Sequence, residues 1–382
     1  MTNINIVIFG VTGSIGKSVL SIVDKNPQVK IEGITCNVNI NKLIKIASSY
    51  KVKKIGFNEK SLKVKRKNKL NKYDVYDDIS KFHEIISEKT DIVIFGISGL
   101  ICLDLFSKLI KSGKTIGIAN KECIISLGSS VKDIASKFST KIIPLDSEHN
   151  SIYHLLRMNI GSYKSISITA TGGPFLKFTN VELNNITPKQ AIKHPIWKMG
   201  KKISIDSATM MNKALEIIEA KYLFDLNNDQ INAIIHPQAI IHALINYENG
   251  LSTAILNEPD MRIPIASLFY KYKNFEYKYK QLDLTKYSNL EFMKIDEKKF
   301  PAMALGRSVM KMGGIAPHVF NYLNELLVNL FFNSMISFKD IVRLNDKNIE
   351  KFFNKNSNIK NPKYSDFKNI NKWIDNNLYL GR

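Results

Sequence analysis

Residues 4–16 read INIVIFGVTGSIG, and this stretch limits the fold more than any other. A short apolar run, INIVIF, is closed by Gly10, and glycines recur at Gly13 and Gly16. KSVLSIVDKN follows, with Val19, Leu20, Ile22 and Val23 at helical spacing, and then KIEGITC, a second apolar run. Strand, glycine turn, helix and strand form the opening unit of a doubly wound α/β sheet.

The alternation continues. DIVIFGISG is a strand ending in glycines, LDLFSKLIKSG a helix with a glycine stop, and KTIGIANKE a strand whose end carries Asn120, Lys121 and Glu122. VKDIASKF is a helix and KIIPLD a strand running into Asp146-Ser147-Glu148-His149-Asn150. Open α/β sheets bind ligands at the carboxyl ends of their strands, where these polar residues fall. After residue 150 the texture changes. SISITATGG reads as a strand entering a turn, HPIWKMGKK as an irregular stretch, and DSATMMNKALEIIEAKYLF as one long helix. INAIIHP, HALINYENG and STAILNEP read as strands of an antiparallel sheet, and the chain from Pro301 onward as mostly helical.

Composition narrows the class. The chain has 382 residues, 44% of them hydrophobic, which is enough for two or three cores. No apolar run is long enough to span a bilayer and no signal or transit segment is evident, so a cytoplasmic protein without a membrane partner is expected. Cys36, Cys102 and Cys123 form no metal-type or redox-type pair and read as buried thiols. The net charge of +21 comes from lysines spread along the whole chain. The densest run, residues 60–72, reads as a solvated loop, and nucleic-acid binding, which needs a clustered basic and aromatic face, is not expected.

Several clusters could carry chemistry. The turn Gly10–Gly16 can bring backbone N–H groups to a pyrophosphate at a helix N-terminus, or it is an unliganded tight turn. Thr35-Cys36-Asn37-Val38-Asn39, at the end of the second strand, lacks the acid that an NAD site places there, which leans toward NADP; it has no Lys or Arg before Lys42 either. Asp146 and Glu148 would share one face of an extended chain and could bind a hard divalent ion such as Mg²⁺ or Mn²⁺. They could equally cap a helix. Ser207 reads as a helix cap, and Asn212, Lys213 and Glu216 lie on one polar face of that helix, opposite the apolar stripe Met211, Leu215, Ile218 and Tyr222. Ser207, Asn212 and Lys213 suit a phosphate, while Glu216 could reach a metal or pair with Lys213 at the surface. Thr171-Gly172-Gly173 suits a phosphate or is a plain turn. Trp197, between Pro195 and Gly200, is a packed corner or a lid, and His236 and His242 read as structural.

GVTGSIG, IANKE, PLDSEHNSI, TATGGPF, HPIWKMGKKISIDSATMMNKALEIIEA, IIHPQAIIH, MRIPIA and GGIAPHVFNYLNE, in that order, resemble the 1-deoxy-D-xylulose 5-phosphate reductoisomerase family along nearly the whole chain. The resemblance implies an NADPH-dependent and Mn²⁺- or Mg²⁺-dependent homodimer. Its N-terminal Rossmann-like doubly wound sheet, residues 1–146, binds NADP. A central α+β domain, 147–270, serves catalysis and dimerisation, 271–297 is a linker, and 298–382 is a helical domain. The implied reaction converts 1-deoxy-D-xylulose 5-phosphate to 2-C-methyl-D-erythritol 4-phosphate by retro-aldol cleavage, re-addition and hydride transfer, in isoprenoid synthesis.

The resemblance also implies roles. Asp146, Glu148 and Glu216 would hold the metal. Ser147 would bond substrate hydroxyls, and Thr171, Ser207, Asn212 and Lys213 would hold the phosphate with His194 closing over it. Trp197 would be the lid. Thr12, Gly13, Ser14, Ile15, Asn37, Asn39, Asn120 and Glu122 would contact the cofactor, with Met199, Gly200 and Met261 near the nicotinamide. Lys121 would sit between cofactor and substrate, and Lys121, Asp146, Glu148, Glu216 and His194 would form the catalytic set. The sequence departs from the family at Thr171 and at Ala239 and Ala243, where serine is usual, and at Val38, where the family often has a basic residue. A related NADP-dependent oxidoreductase acting on another phosphorylated sugar is the competing reading.

Overall fold

The computed structural model describes residues 3–58, 70–158, 160–197, 199–273 and 275–381, so most of the basic run at 60–72 lies outside the described residues. The chain forms two compact units. The first comprises Met1–Cys123, Val131–Asn150 and Asp260–Lys280; the second comprises Ile124–Ser130, Ser151–Pro259 and Gln281–Arg382.

The first unit is built on a parallel sheet of β1 (Ile4–Phe9), β2 (Val29–Thr35), β3 (Lys54–Gly56), β4 (Asp74–Tyr76), β5 (Ile92–Phe95), β6 (Thr115–Ile118) and β7 (Lys141–Pro144), in the order β4-β3-β2-β1-β5-β6-β7. Ile6, Val7, Ile8 and Phe9 are all fully buried, as they must be on a central strand covered on both faces. The helices that follow the strands are α1 (Ser14–Val23), α2 (Ile40–Ser49), α3 (Leu103–Leu109), α4 (Lys121–Leu127), α5 (Ser130–Lys137) and α6 (Ser147–Leu155). Strand order reverses between β1 and β5, which puts the ligand-binding switch point at the end of β1. Two glycines there are obligatory. Gly10 has φ +87°, and a Cβ on it would lie 2.7 Å from Gly96 O; a Cβ on Gly16 would overlap the backbone of Val11.

In the second unit β8 (Tyr163–Ala170), β9 (Ile231–Ile235), β10 (Ile241–Tyr247) and β11 (Ser252–Leu256) form a sheet in the order β11-β10-β8-β9. β10 is antiparallel to both neighbours, but β9 runs parallel to β8, contrary to the antiparallel expectation. The cause is the long crossover through residues 171–230, which carries α7 (Pro188–Ala191), α8 (Lys201–Ala208) and α9 (Met211–Phe224) and brings the chain back in the same direction.

The single helix expected over DSATMMNKALEIIEAKYLF is two helices. Met210 takes a left-handed conformation (φ 62°) between α8 and α9. The Thr209 hydroxyl donates to the carbonyls of Ile205 and Asp206 (3.1 Å each) and accepts from Met211 N (3.3 Å), satisfying the backbone groups that the break frees. Ser207 therefore lies in the last turn of α8 and is not a helix cap; Met210 precedes α9 without a side-chain cap.

After α10 (Arg262–Ala266), the chain up to residue 297 is largely irregular, with a 3₁₀ turn at Leu284–Lys286 and a bridge from Met293 to Ile235. It ends in α11 (Ala302–Met312), α12 (Ala316–Phe332), α13 (Asp340–Phe353) and α14 (Tyr364–Asn377), the helical C-terminus that the sequence suggests. α11 packs closely on α9, since a Cβ on Gly306 would meet that of Ala214 at 2.8 Å. Among the described residues no helix is long and apolar enough to cross a membrane.

Candidate active site

In the first unit the polar groups collect where the strands end. Gly10 N and Val11 N both donate to Thr35 O, and Gly13 N closes the turn on Gly10 O (3.0 Å). Gly13 precedes α1 with no side-chain cap, and the first turn of α1 holds no acid, so its leading N–H groups suit an anion. Thr12, Gly13, Ser14 and Ile15 lie on this turn and helix start. At the end of β2, Cys36 is buried and Val38 is 65% exposed. Burial pushes the Cys36 thiol up to about 12, against a backbone hydrogen bond at Asn39, so it is no nucleophile. All three cysteines are buried and none is in a disulfide. Asn39 caps α2 by accepting from Lys42 N (3.2 Å), and Asn37 O accepts from Asn58 N (3.2 Å).

Asn120 is buried and committed: its amide donates to Ile97 O (2.8 Å) and Gly99 O (3.0 Å), and its oxygen accepts from Cys123 N (2.7 Å). It fixes the start of α4, and with it the buried side chains of Lys121 and Glu122. Lys121 Nζ lies 3.1 Å from Asp146 Oδ2. Asp146 and Glu148 do not share a face by strand alternation, because β7 ends at Pro144 and α6 starts at Ser147. Asp146 Oδ1 accepts from Glu148 N (3.3 Å) as a helix cap does, and His149 Nδ1 is 3.3 Å from the same oxygen. Ser147 Oγ donates to Glu148 Oε2 (2.6 Å). Met261, half-buried, immediately precedes α10.

The second unit holds the other predicted residues. Thr171 immediately follows β8, and its hydroxyl is 3.0 Å from His194 Nε2. His194 Nδ1 accepts from the backbone N–H groups of Ile196 (3.2 Å) and Trp197 (2.8 Å), so the neutral ring carries its proton on Nε2. Burial lowers the His194 pKa to about 4, which keeps it neutral at physiological pH. The Trp197 ring centre is 6.3 Å from that of His242, whose Nε2 is 3.1 Å from Asn257 Nδ2. Met199 is half-buried, and Gly200 is the exposed cap of α8. A Cβ on Gly173 would lie 2.8 Å from Ser207 O, so the Gly172-Gly173 turn and the α8 end meet directly.

On α9, Asn212 and Lys213 both donate to the Glu216 carboxylate. Lys213 and Glu216 are 3% and 1% exposed, so they are a buried pair and not the surface pair that helical spacing alone allowed. Met211, Leu215, Ile218 and Tyr222 are buried as expected, but α9 is buried around its other face too. Sequence reasoning missed Glu219, also buried there, and Asp206, a buried residue of α8 held by Lys202 (2.8 Å) and Asn324 (2.8 Å). An acid one turn beyond Glu216 was the available signal for Glu219. His236 behaves as the structural residue expected: it is buried, with Nδ1 2.9 Å from Glu291 O.

Family models match three stretches: 1-deoxy-D-xylulose 5-phosphate reductoisomerase at residues 6–128, its C-terminal domain at 142–224, and the DXP reductoisomerase C-terminal domain at 256–376. The Clostridium novyi (strain NT) 1-deoxy-D-xylulose 5-phosphate reductoisomerase is 40% identical over 91% of this chain and 92% of its own. The chain belongs to the 1-deoxy-D-xylulose 5-phosphate reductoisomerase family. The enzyme of that name from Anaplasma phagocytophilum (strain HZ) is 38% identical over 88% of this chain and 89% of its own. Among solved reductoisomerase structures, that from Zymomonas mobilis in complex with NADPH superposes with a TM-score of 0.88 at 32% identity, covering 97% of each chain. Another, in complex with NADPH, fosmidomycin and magnesium, has a TM-score of 0.88 at 30% identity and covers 98% of this chain and 97% of its own.

Proposed function

We propose that this reductoisomerase converts 1-deoxy-D-xylulose 5-phosphate to 2-C-methyl-D-erythritol 4-phosphate, with NADPH as reductant and Mg²⁺ or Mn²⁺ as the required ion. NADPH supplies the hydride, and the divalent ion supplies Lewis-acid polarisation of the substrate oxygens. The observation that carries the reading is the buried Lys213–Glu216 ion pair, joined by the half-buried Asn212 amide, which a purely structural α9 would not need. The donor set fits a hard divalent ion: Asp146, Glu148 and Glu216 offer carboxylate oxygens and no soft ligand, and Ser147 and Lys213 already fix how two of those carboxylates point.

The remaining roles follow from donor chemistry. Lys213, Asn212, Ser207 and the Thr171 hydroxyl would grip the substrate phosphate, with neutral His194, whose Nε2–H donates to that hydroxyl, closing over it. That grip positions the far end of the sugar, where Ser147 and Lys121 would meet its oxygens while the carbon skeleton rearranges. Trp197 would close over the site and exclude water. The turn at Thr12–Ile15, with Asn37, Asn39, Asn120 and Glu122, would hold the dinucleotide, with Met199, Gly200 and Met261 against the nicotinamide.

The enzyme is read as a cytoplasmic homodimer. β11 supports the dimer, because it is an edge strand with Leu256 37% exposed, a surface that a second copy can cover. Light scattering should give twice the chain mass; a monomer at micromolar concentration would overturn that part. The main test is NADPH oxidation by purified protein with 1-deoxy-D-xylulose 5-phosphate, with and without Mg²⁺ or Mn²⁺. Metal-dependent turnover yielding methylerythritol phosphate is expected. Turnover unaffected by chelation would sink the metal assignment.

A further inference from the structure

NADPH differs from NADH by one dianionic phosphate on the adenosine ribose, and the end of β2, where that ribose belongs, carries no charged residue: Asn37, Val38 and Asn39 are neutral. The fold brings a charge there from a residue that strand-end reasoning passes over. Lys42, in the first turn of α2, bends back so that its Nζ donates to Thr12 O at 2.9 Å, inside the glycine turn and thirty positions earlier in sequence. Lys17, in the first turn of α1, is near enough to act on it: burial first and Lys17 second lower the Lys42 pKa. The first turns of α1 and α2 hold no acid to offset either lysine. The Lys42 ammonium thus lies against the glycine turn that leads into α1, and a cation beside an acid-free helix start favours a bound anion. Val38, the neutral residue at the strand end, points largely to solvent.

We propose that Lys42 binds the 2′-phosphate of NADPH and sets the choice of NADPH over NADH in this chain. The inference rests on the NADPH dependence proposed above and adds the residue that enforces it. Lys42 takes over from α2 the role that a basic residue at position 38 would otherwise fill. A phosphate oxygen can share the Nζ protons with Thr12 O, since an ammonium has three to donate.

The test is calorimetric binding of 2′,5′-ADP and of 5′-AMP, which differ only in that phosphate and need no turnover. Wild-type protein should prefer 2′,5′-ADP. Lys42→Ala should weaken 2′,5′-ADP by about 10- to 100-fold, the usual worth of a charge-assisted hydrogen bond, and leave 5′-AMP within about 2-fold. Lys42→Arg should restore most of the preference, and Lys45→Ala, an exposed neighbour on the same helix, should change nothing. In steady-state assays Lys42→Ala should raise KM for NADPH with kcat retained. A wild-type preference that survives Lys42→Ala would overturn this inference alone. Equal weakening of both nucleotides would also overturn it, because Lys42 would then only brace the Thr12 turn. A wild-type protein that binds both nucleotides equally would overturn the NADPH reading as well.

Discussion

The glycine turn after β1 and the polar cluster on α9, proposed above to hold the cofactor and the substrate phosphate with its metal, are built by opposite means. The turn offers main-chain N–H groups, and its geometry is enforced by positions where only glycine fits, such as Gly10 and Gly16. The α9 cluster offers side chains, the buried Lys213 and Glu216 and the half-buried Asn212, held by one another. A site made of backbone fails when the chain path is forced to change. A site made of buried charge fails when a single charge is removed, because the partner is left without compensation in a poorly solvated place.

The largest expected effect tests the second kind. Glu216→Gln keeps the shape of the side chain and removes its charge. Turnover should fall by about 10²- to 10³-fold, the several kcal/mol that a Lewis-acid ion contributes. The buried Lys213 ammonium would lose its counter-charge, so the unfolding midpoint should drop too. The double variant Lys213→Met/Glu216→Gln should regain the midpoint and stay inactive. If the double variant were as unstable as the single one, the pair would not be the element that stabilises α9.

The first kind is tested by two alanines three residues apart. At Gly16 an added methyl meets the Val11 backbone, which cannot step aside. At Gly13 an added methyl would come no nearer than 3.4 Å, to Gly10 O, and φ is an ordinary −79°. Gly16→Ala should cost about 3 kcal/mol in urea unfolding, and Gly13→Ala less than about 1 kcal/mol. Equal costs would mean that the turn moves as a unit and that the close approach at Gly16 is not what fixes it.

These two designs were not equally legible. The turn could be read from sequence because an apolar run, glycines and helical spacing occur in one continuous stretch. The residues of the α9 cluster could be named from the sequence, but their setting could not. Nothing in ATMMNK signals a break, since the left-handed residue is Met210 and not a glycine or asparagine; the break rests on Thr209 hydrogen bonds. Asp146 and Glu148 were noticed for a spacing that does not apply, because α6 begins between them. Alternating apolar residues mark β9 as a strand but say nothing of its direction, which the crossover through α8 and α9 decides. Lys42 is visible in the sequence as the first basic residue after β2, but its place against the glycine turn is not, because its partner is a carbonyl and carbonyls carry no residue signature.

A similar contrast holds for two histidines in the second unit, His318 fully buried and His194 half-buried, each with a pKa lowered by burial to about 4. His194 sits at the Thr171 turn, whereas His318 is a structural link: Ser126 Oγ donates to its Nδ1 (2.9 Å) and its Nε2–H donates to Asn371 Oδ1 (2.8 Å). Below about pH 6.5 the unfolded chain gains a proton at each histidine that the native protein refuses. Stability is therefore full above that pH and is lost as pH falls toward 4. The fully buried His318 accounts for about 3 kcal/mol of this, and His194, partly exposed, for less. Urea midpoints measured from pH 7 to 4.5 should show the decline, and His318→Gln should flatten it. An unchanged slope would place the acid sensitivity elsewhere.

The smallest effect is expected where the two designs meet, at Thr171, a side chain working within a glycine turn. Its oxygen accepts from the His194 Nε2–H and from Gly173 N (3.3 Å), so its own proton is left to donate outward, toward an anion. Thr171→Ser keeps both acceptor functions and the donor and loses only the methyl that restrains χ1. KM for the sugar phosphate should change by less than about 3-fold, with kcat unchanged. Thr171→Val keeps the shape but leaves two N–H groups without an acceptor, and should raise KM about 10-fold. A serine variant as poor as the valine one would show that the threonine methyl, and not its hydroxyl, orders the turn.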